Sequence, residues 1–146
     1  MAGISSVLFC CDHNSIRSPM AEGMMKQLVG TDIFVQSAGV ANDKEIDGFA
    51  IAVCEEIGVE LTKHKVRSFE DLEDWGDDLD SYDLIVALSP RSAEEARRET
   101  DGAAVDVEFW DVADPTVKGE TRDEKLAEYR AVRDDIMARL KSRFSR

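Results

Sequence analysis

The chain is poor in several residue types, and each shortage narrows the reading. Three cysteines in 146 residues are odd in number and sparse, which excludes a disulfide-stapled scaffold. That usage fits a reducing compartment, so a cytoplasmic protein is expected. No apolar run approaches the ~20 residues a membrane span needs. No basic stretch precedes an apolar core at the N-terminus, so no secretory leader is expected. Positive charge is scarce too: 18 Lys and Arg face 31 Asp and Glu, a formal net charge of −13. A surface that acidic repels nucleic acid and anionic membrane, so neither is expected as a partner. It serves solubility, and any site for an anion must then be locally positive. Glycine is missing from one informative place. None stands between Cys11 and Ser18, which excludes a dinucleotide fingerprint and a Walker loop there.

What is present reads as one globular domain over residues 1–146, with 43% hydrophobic residues. Ser6 to Cys10 is a short apolar run, a buried strand. Ser18-Pro19 opens a helix, Ser as cap and Pro at the first helical position, and Gly30 ends it. Ile33 to Ser37 is a second strand, stopped at Ala38-Gly39. Residues 48 to 57 form a second helix, with Phe49, Val53 and Ile57 on one stripe. Lys63 to Asp80 is an acid-rich loop with a short helix. Leu84 to Leu88 is apolar throughout and is expected at the centre of a sheet. Ser89-Pro90 starts a helix running to about Thr100. Val105 to Phe109 alternates as an edge strand should. Leu126, Tyr129, Val132, Ile136 and Leu140 mark a long final helix. Alternating strands and helices imply an α/β domain: a four-stranded parallel sheet flanked by helices in three layers, with right-handed crossovers.

Ligands of such sheets bind at the carboxyl ends of the strands. "VLFCCDHNSIRSPMAEG" (residues 7–23) places a loop there, between a strand end and a helix start. Amides at such a junction, with the helix dipole, favour an anion. Arg17 lies six residues after Cys11 and offers a planar fork for two oxygens. Cys10 has Ile16 at that spacing, which grips nothing. Neighbours on a strand also face opposite ways, so Cys11 serves the loop and Cys10 packs inside. A helix N-terminus and a cation favour the thiolate, so Cys11 is expected to be the nucleophile. Asn14 suits a tight loop because it tolerates the left-handed conformation.

The same stretch resembles the signature of the low-molecular-weight protein tyrosine phosphatases, whose loop and fold are shared by the thioredoxin-coupled arsenate reductases. The similarity continues in "SAGV", "EEIGVELTKHKVRSF", "YDLIVALS" and "FWDVADPT", and covers most of the chain. It implies a phosphate-binding loop over Asp12, His13, Asn14, Ser15, Ile16, Arg17 and Ser18. It further implies that Cys11 attacks phosphorus to form a cysteinyl phosphate, and that Arg17 holds the equatorial oxygens. Ser18 would hydrogen-bond the Cys11 sulfur. Asp114, followed by Pro115, would protonate the leaving oxygen and then activate water. Asn14 and Ser37 would lock the loop shape. No cofactor or metal is implied. The substrate implied is a phosphorylated protein or small aryl phosphate, with inorganic phosphate or another oxyanion as inhibitor.

Several positions depart from the family pattern. Ile16 stands where many of these phosphatases carry a second cysteine, so that redox device is absent. Asp12 follows the nucleophile where the residue is usually uncharged, and must point outward or depress affinity. Thr116 and Val117 follow Pro115 where an aromatic often flanks a phenol ring; Trp110, Phe49 and Trp75 are the substitutes to test. His64 is expected to be structural, His13 solvated and Cys54 a small core residue. On this reading the first function is phosphomonoester hydrolysis. The alternative is arsenate reduction with an external thiol or glutaredoxin, since residues 82 to 100 hold no cysteine for a disulfide shuttle. A non-catalytic oxyanion- or partner-binding module ranks third.

Overall fold

A computed structural model describes residues 3–144. Its strands are β1 (Ser6–Cys11), β2 (Phe34–Gly39), β3 (Leu84–Ala87) and β4 (Asp106–Phe109). They form one four-stranded sheet in the order β2-β1-β3-β4, with every pairing parallel. The helices are α1 (Arg17–Val29), α2 (Gly48–Glu55), α3 (Phe69–Asp74), α4 (Pro90–Glu99) and α5 (Arg122–Phe144). Among the described residues no helix is long and apolar enough to cross a membrane.

Side-chain alternation along β1 separates two cores. Val7, Phe9 and Cys11 join Met20 and Met24 of α1, Val53 of α2 and Ile136 and Leu140 of α5. Leu8 and Cys10 face the other way, onto Phe69 and Leu72 of α3 and Ala93 and Ala96 of α4. The result is three layers, as the alternating pattern implies. The apolar Leu84–Ala87 run lies between two strands, and the alternating Asp106–Phe109 run lies at the edge.

The start of α1 differs from the Ser-cap expectation. The helix begins at Arg17, and Ile16 occupies the cap position with no side-chain bond. Ser18 is inside the first turn, where its hydroxyl is engaged by the loop instead. Pro19 loses nothing there, because first-turn N–H groups have no intrahelical acceptor; the first helical bond is Met20 N to Ile16 O. The second Ser-Pro behaves as expected: Ser89 caps α4, accepting from Ser92 N, with Pro90 at the first position. Two strands run further than their apolar runs. β1 takes in Cys11, and β2 continues through Gly39, which pairs with Cys11 and bridges to Ser68. The second helix stops at Glu55 and is capped by Asp47, which accepts from Phe49 N and Ala50 N.

Candidate active site

The loop from Asp12 to Ile16 joins the end of β1 to the start of α1. It turns sharply at Asn14, whose φ of 54° is the one positive φ outside glycine among the described residues. Asn14 is fully buried, and its amide holds both ends of the loop. Its Nδ2 donates to Ser18 Oγ and to Ser37 Oγ, each at 2.9 Å. Its Oδ1 accepts from His64 Nε2 at 2.9 Å and from Arg67 N at 3.0 Å. Ser18 Oγ lies 2.9 Å from Cys11 Sγ. Since Asn14 donates to that hydroxyl, its own hydrogen points to the sulfur at 2.9 Å or to the more distant Ala38 O at 3.5 Å. Gly39 makes the close approach possible: a Cβ there would meet Asn14 N at 2.6 Å and the His13 carbonyl carbon at 2.7 Å.

Behind the loop stands a buried acid that the sequence did not single out. Glu22 accepts from Ser37 Oγ at 2.5 Å and from Lys26 Nζ at 2.6 Å. Its Oε1 is 3.9 Å from His64 Nδ1. The i, i+4 spacing of Glu22 and Lys26 was a visible signal, but it reads equally as a surface pair. Burial holds the His64 imidazole below its ordinary pKa, and Arg67 and Lys26 push the same way against Glu22. A neutral ring donating to Asn14 is therefore structural, as expected, though its partner is a side-chain amide.

In front of the loop lies a cleft of about 330 Å³. Cys11, His13, Ser15, Ile16, Arg17 and Asp114 all line it, joined by Lys44, Glu45, Asp47 and Thr116. The loop and the Asp-Pro turn, far apart in sequence, are thus brought together. Asn14, Ser18 and Ser37 are buried and are not part of the cleft lining. Arg17 is buried, and its Nη1 donates to Val112 O at 3.1 Å and reaches Leu88 O at 3.5 Å. Asp114 Oδ1 accepts from Thr116 N at 2.9 Å and Thr116 Oγ1 at 2.6 Å. Burial works to raise the Asp114 carboxyl, but the Thr116 bonds, helped by Arg17 and His13, carry it below the ordinary range.

Other expectations change here. Asp12 does not simply point outward. Its Oδ1 accepts from Ser89 Oγ at 2.6 Å, and its Oδ2 sits 3.9 Å from Arg17 Nη2. His13 is not merely solvated; its Nδ1 meets Asp43 Oδ1 at 2.6 Å. Among the described residues no Phe, Tyr or Trp lines the cleft. Trp110 is buried between Phe9 and Phe144, Phe49 packs on Tyr129, and Trp75 is exposed at the end of α3. Asp47 was also missed: besides capping α2 it accepts from Tyr129 Oη at 3.0 Å and donates its N–H to Ser15 O. The other thiols are buried away from this chemistry. Burial pushes the Cys10 thiol far up, against a bond with Ser92, and pushes Cys54 up to about 12.

Comparison with known proteins agrees with this geometry. Arsenate reductase of Bacillus subtilis is 33% identical over 135 residues, covering 92% of this chain and 91% of its own. Glutaredoxin arsenate reductase of Synechocystis sp. is 33% identical over 85 residues, covering 58% of this chain and 60% of its own. A solved arsenate reductase in the phosphate binding state has a TM-score of 0.71 at 26% identity and covers 95% of each chain. The low molecular weight protein tyrosine phosphatase from T. tengcongensis has a TM-score of 0.74 at 24% identity, covers 94% of this chain and 95% of its own, and shares the fold. With the family model for low molecular weight phosphotyrosine protein phosphatases matching residues 6–145, the chain belongs to that family of cysteine-based phosphatases and arsenate reductases.

Proposed function

We propose that the chain reduces arsenate with the help of an external thiol. The observation that carries this reading is a cleft lined by Cys11 and Arg17 with no Phe, Tyr or Trp on its walls among the described residues. It suits a small tetrahedral oxyanion better than a phenolic ester. Its relatives over nine-tenths of the chain bear the name arsenate reductase. Arsenate has the shape and charge of phosphate, so one loop serves both.

Cys11 thiolate attacks arsenic, and a hydroxide leaves as water. Arg17 and the loop amides hold the remaining oxygens as charge shifts. Asp114 is ionised in the resting cleft, so the proton it passes to the leaving oxygen arrives with the arsenate monoanion. An external thiolate then attacks the Cys11 sulfur. The S–As bond breaks, its electron pair stays on arsenic, and arsenite departs. The mixed disulfide left on Cys11 is reduced by a second thiol, so two thiols become one disulfide. The second thiol must come from outside because Cys10 lies in the opposite core and both Cys10 and Cys54 are buried.

Asp114 in the same cleft favours a second reading, hydrolysis of a phosphomonoester through a cysteinyl phosphate. There Asp114 protonates the ester oxygen and then activates water. Both readings share the first displacement. A single pair of assays separates them, using wild type and Cys11→Ser. Arsenite formation is measured with glutaredoxin or a small thiol, and hydrolysis with phenyl phosphate. Thiol-dependent reduction that vanishes in Cys11→Ser is expected. Hydrolysis without reduction would overturn the first reading in favour of the second, and neither activity would leave an oxyanion-binding module.

A further inference from the structure

A second groove, of about 410 Å³, is lined by Pro19, Glu22, Gly23 and Lys26 of α1 and shares no lining residue with the cleft. Lys26, Lys63, His64 and Arg67 line it, with Glu22 and Glu60. Lys26 is matched by Glu22, and Glu60 accepts from Thr62. With His64 neutral, three cations face two carboxylates, so this groove is locally positive in a chain of net charge −13. Arg67 supplies the second observation. Its Nε is the one buried side-chain polar atom among the described residues that lacks a hydrogen-bond partner. Its Nη1 is held by Gln36, so part of the fork is fixed and the Nε–H is left without an acceptor. A buried donor left unserved is unfavourable, so an acceptor placed there is stabilising.

We propose that this groove binds a small oxyanion, of the sulfate or phosphate class, between Arg67 and Lys63. Such an ion provides the acceptor that Arg67 Nε lacks and draws Lys63 over it. The site is joined to the catalytic loop by hydrogen bonds of the Arg67 backbone. The Arg67 N–H holds Asn14 Oδ1, and the Arg67 carbonyl accepts from Gly39 N at 2.8 Å. Fixing the Arg67 side chain therefore steadies the backbone that braces Asn14, and through Asn14 the hydroxyl beside Cys11. The groove acts as an effector site, and its occupant tightens the grip of the front loop on its own oxyanion.

The test is an NMR titration of the whole protein with sodium sulfate. Two isotherms are expected. One is carried by the amides of residues 12–17, the other by the Arg67 Nε–H and the amides of residues 63–67. In a Lys63→Gln, Arg67→Gln double variant the second isotherm is lost, the first persists, and it moves to higher sulfate concentration. If a first isotherm at the loop is seen but the Arg67 Nε–H is unmoved, the second site does not exist. If both sites fill independently, with the loop isotherm unchanged in the variant, the effector role fails. Neither outcome depends on arsenate or phosphate-ester turnover, so the failure of this inference is distinct from failure of the proposed reaction. The melting temperature of the variant, compared with wild type without sulfate, separates loss of the site from loss of the fold.

Discussion

Replacing Asp12 by Asn should tighten oxyanion binding. The carboxylate sits 3.9 Å from Arg17 Nη2, the group expected to grip the substrate. Two unit charges at that separation interact by about 1 kcal/mol in water and about 4 kcal/mol at an effective dielectric of 20. The Asp12 side chain is 30% exposed and Arg17 10%, so solvent screens much of the attraction. Partly exposed pairs of this kind are worth about 1 kcal/mol or less. Arg17 must give up that attraction, and the incoming anion must approach a like charge. Asn keeps the oxygen that accepts from Ser89, so the loop keeps its tie to α4. Removing the charge should therefore lower the inhibition constant of inorganic phosphate about fivefold, which corresponds to about 1 kcal/mol. In about 1 M salt the Debye length shrinks to about 3 Å, and the gain should shrink with it. The assay is competition by phosphate at low and high ionic strength. An unchanged or raised constant at low salt would refute the reasoning, because it would mean Asp12 supports anion binding instead of opposing it.

Four other outcomes follow from the same structure. Gly39→Ala pushes a methyl group into the His13–Asn14 backbone and should cost about 1–3 kcal/mol in urea unfolding while weakening phosphate binding. Full stability with weak binding would locate the strain in the loop alone, and no change in either would contradict the contact. Brief treatment of the native protein with iodoacetamide should label Cys11, which lines the cleft, and spare Cys10 and Cys54, whose thiols burial holds protonated; peptide mass mapping reads this. Asp71, Asp83 and Asp114 lie below their ordinary values when folded, and Glu56 falls to about 2 beside Arg130 and Arg133. Their stabilisation is complete above the unfolded values near pH 4 and is lost as pH falls through the folded values, so the urea midpoint should drop steadily below about pH 4.5; a midpoint constant from pH 5 to pH 3 would contradict it. With a net charge of −13, self-repulsion should be relieved by salt, so the melting temperature should rise with added sodium chloride.

The fold was legible where periodicity and burial coincide. The run Leu84–Leu88 could only be a central strand, and strict alternation put Val105–Phe109 at an edge. Cys11 was separable from Cys10 because spacing to Arg17 and strand alternation gave the same answer. Ser18 misled because Ser-Pro is a good helix start in isolation, as Ser89-Pro90 is; only the neighbouring sulfur and Asn14 draw the first Ser inside its helix. Trp110 stood as a candidate for the cleft wall because a sequence does not reveal that α5 brings Phe144 against it. Glu22, Asp47 and the partner of Asp12 escaped for a common reason. The partners of Glu22, Asp47 and Asp12 are 15, 82 and 77 residues away, and charge alone does not say which acids are held.

The anchoring of Arg17 also bears on how the chain becomes active. Its guanidinium is tied to Leu88 O and Val112 O, carbonyls 71 and 95 residues further along. Closing loops that long is slow relative to forming the local turn and helix around the signature. The thiol is therefore made early during synthesis and its grip on the oxyanion late. A chain interrupted before residue 112 carries the whole signature yet cannot aim its arginine. Oxyanion binding by this protein thus reports that the last strand has docked, and a nascent or partly unfolded chain presents a bare thiol without the selectivity of the finished site.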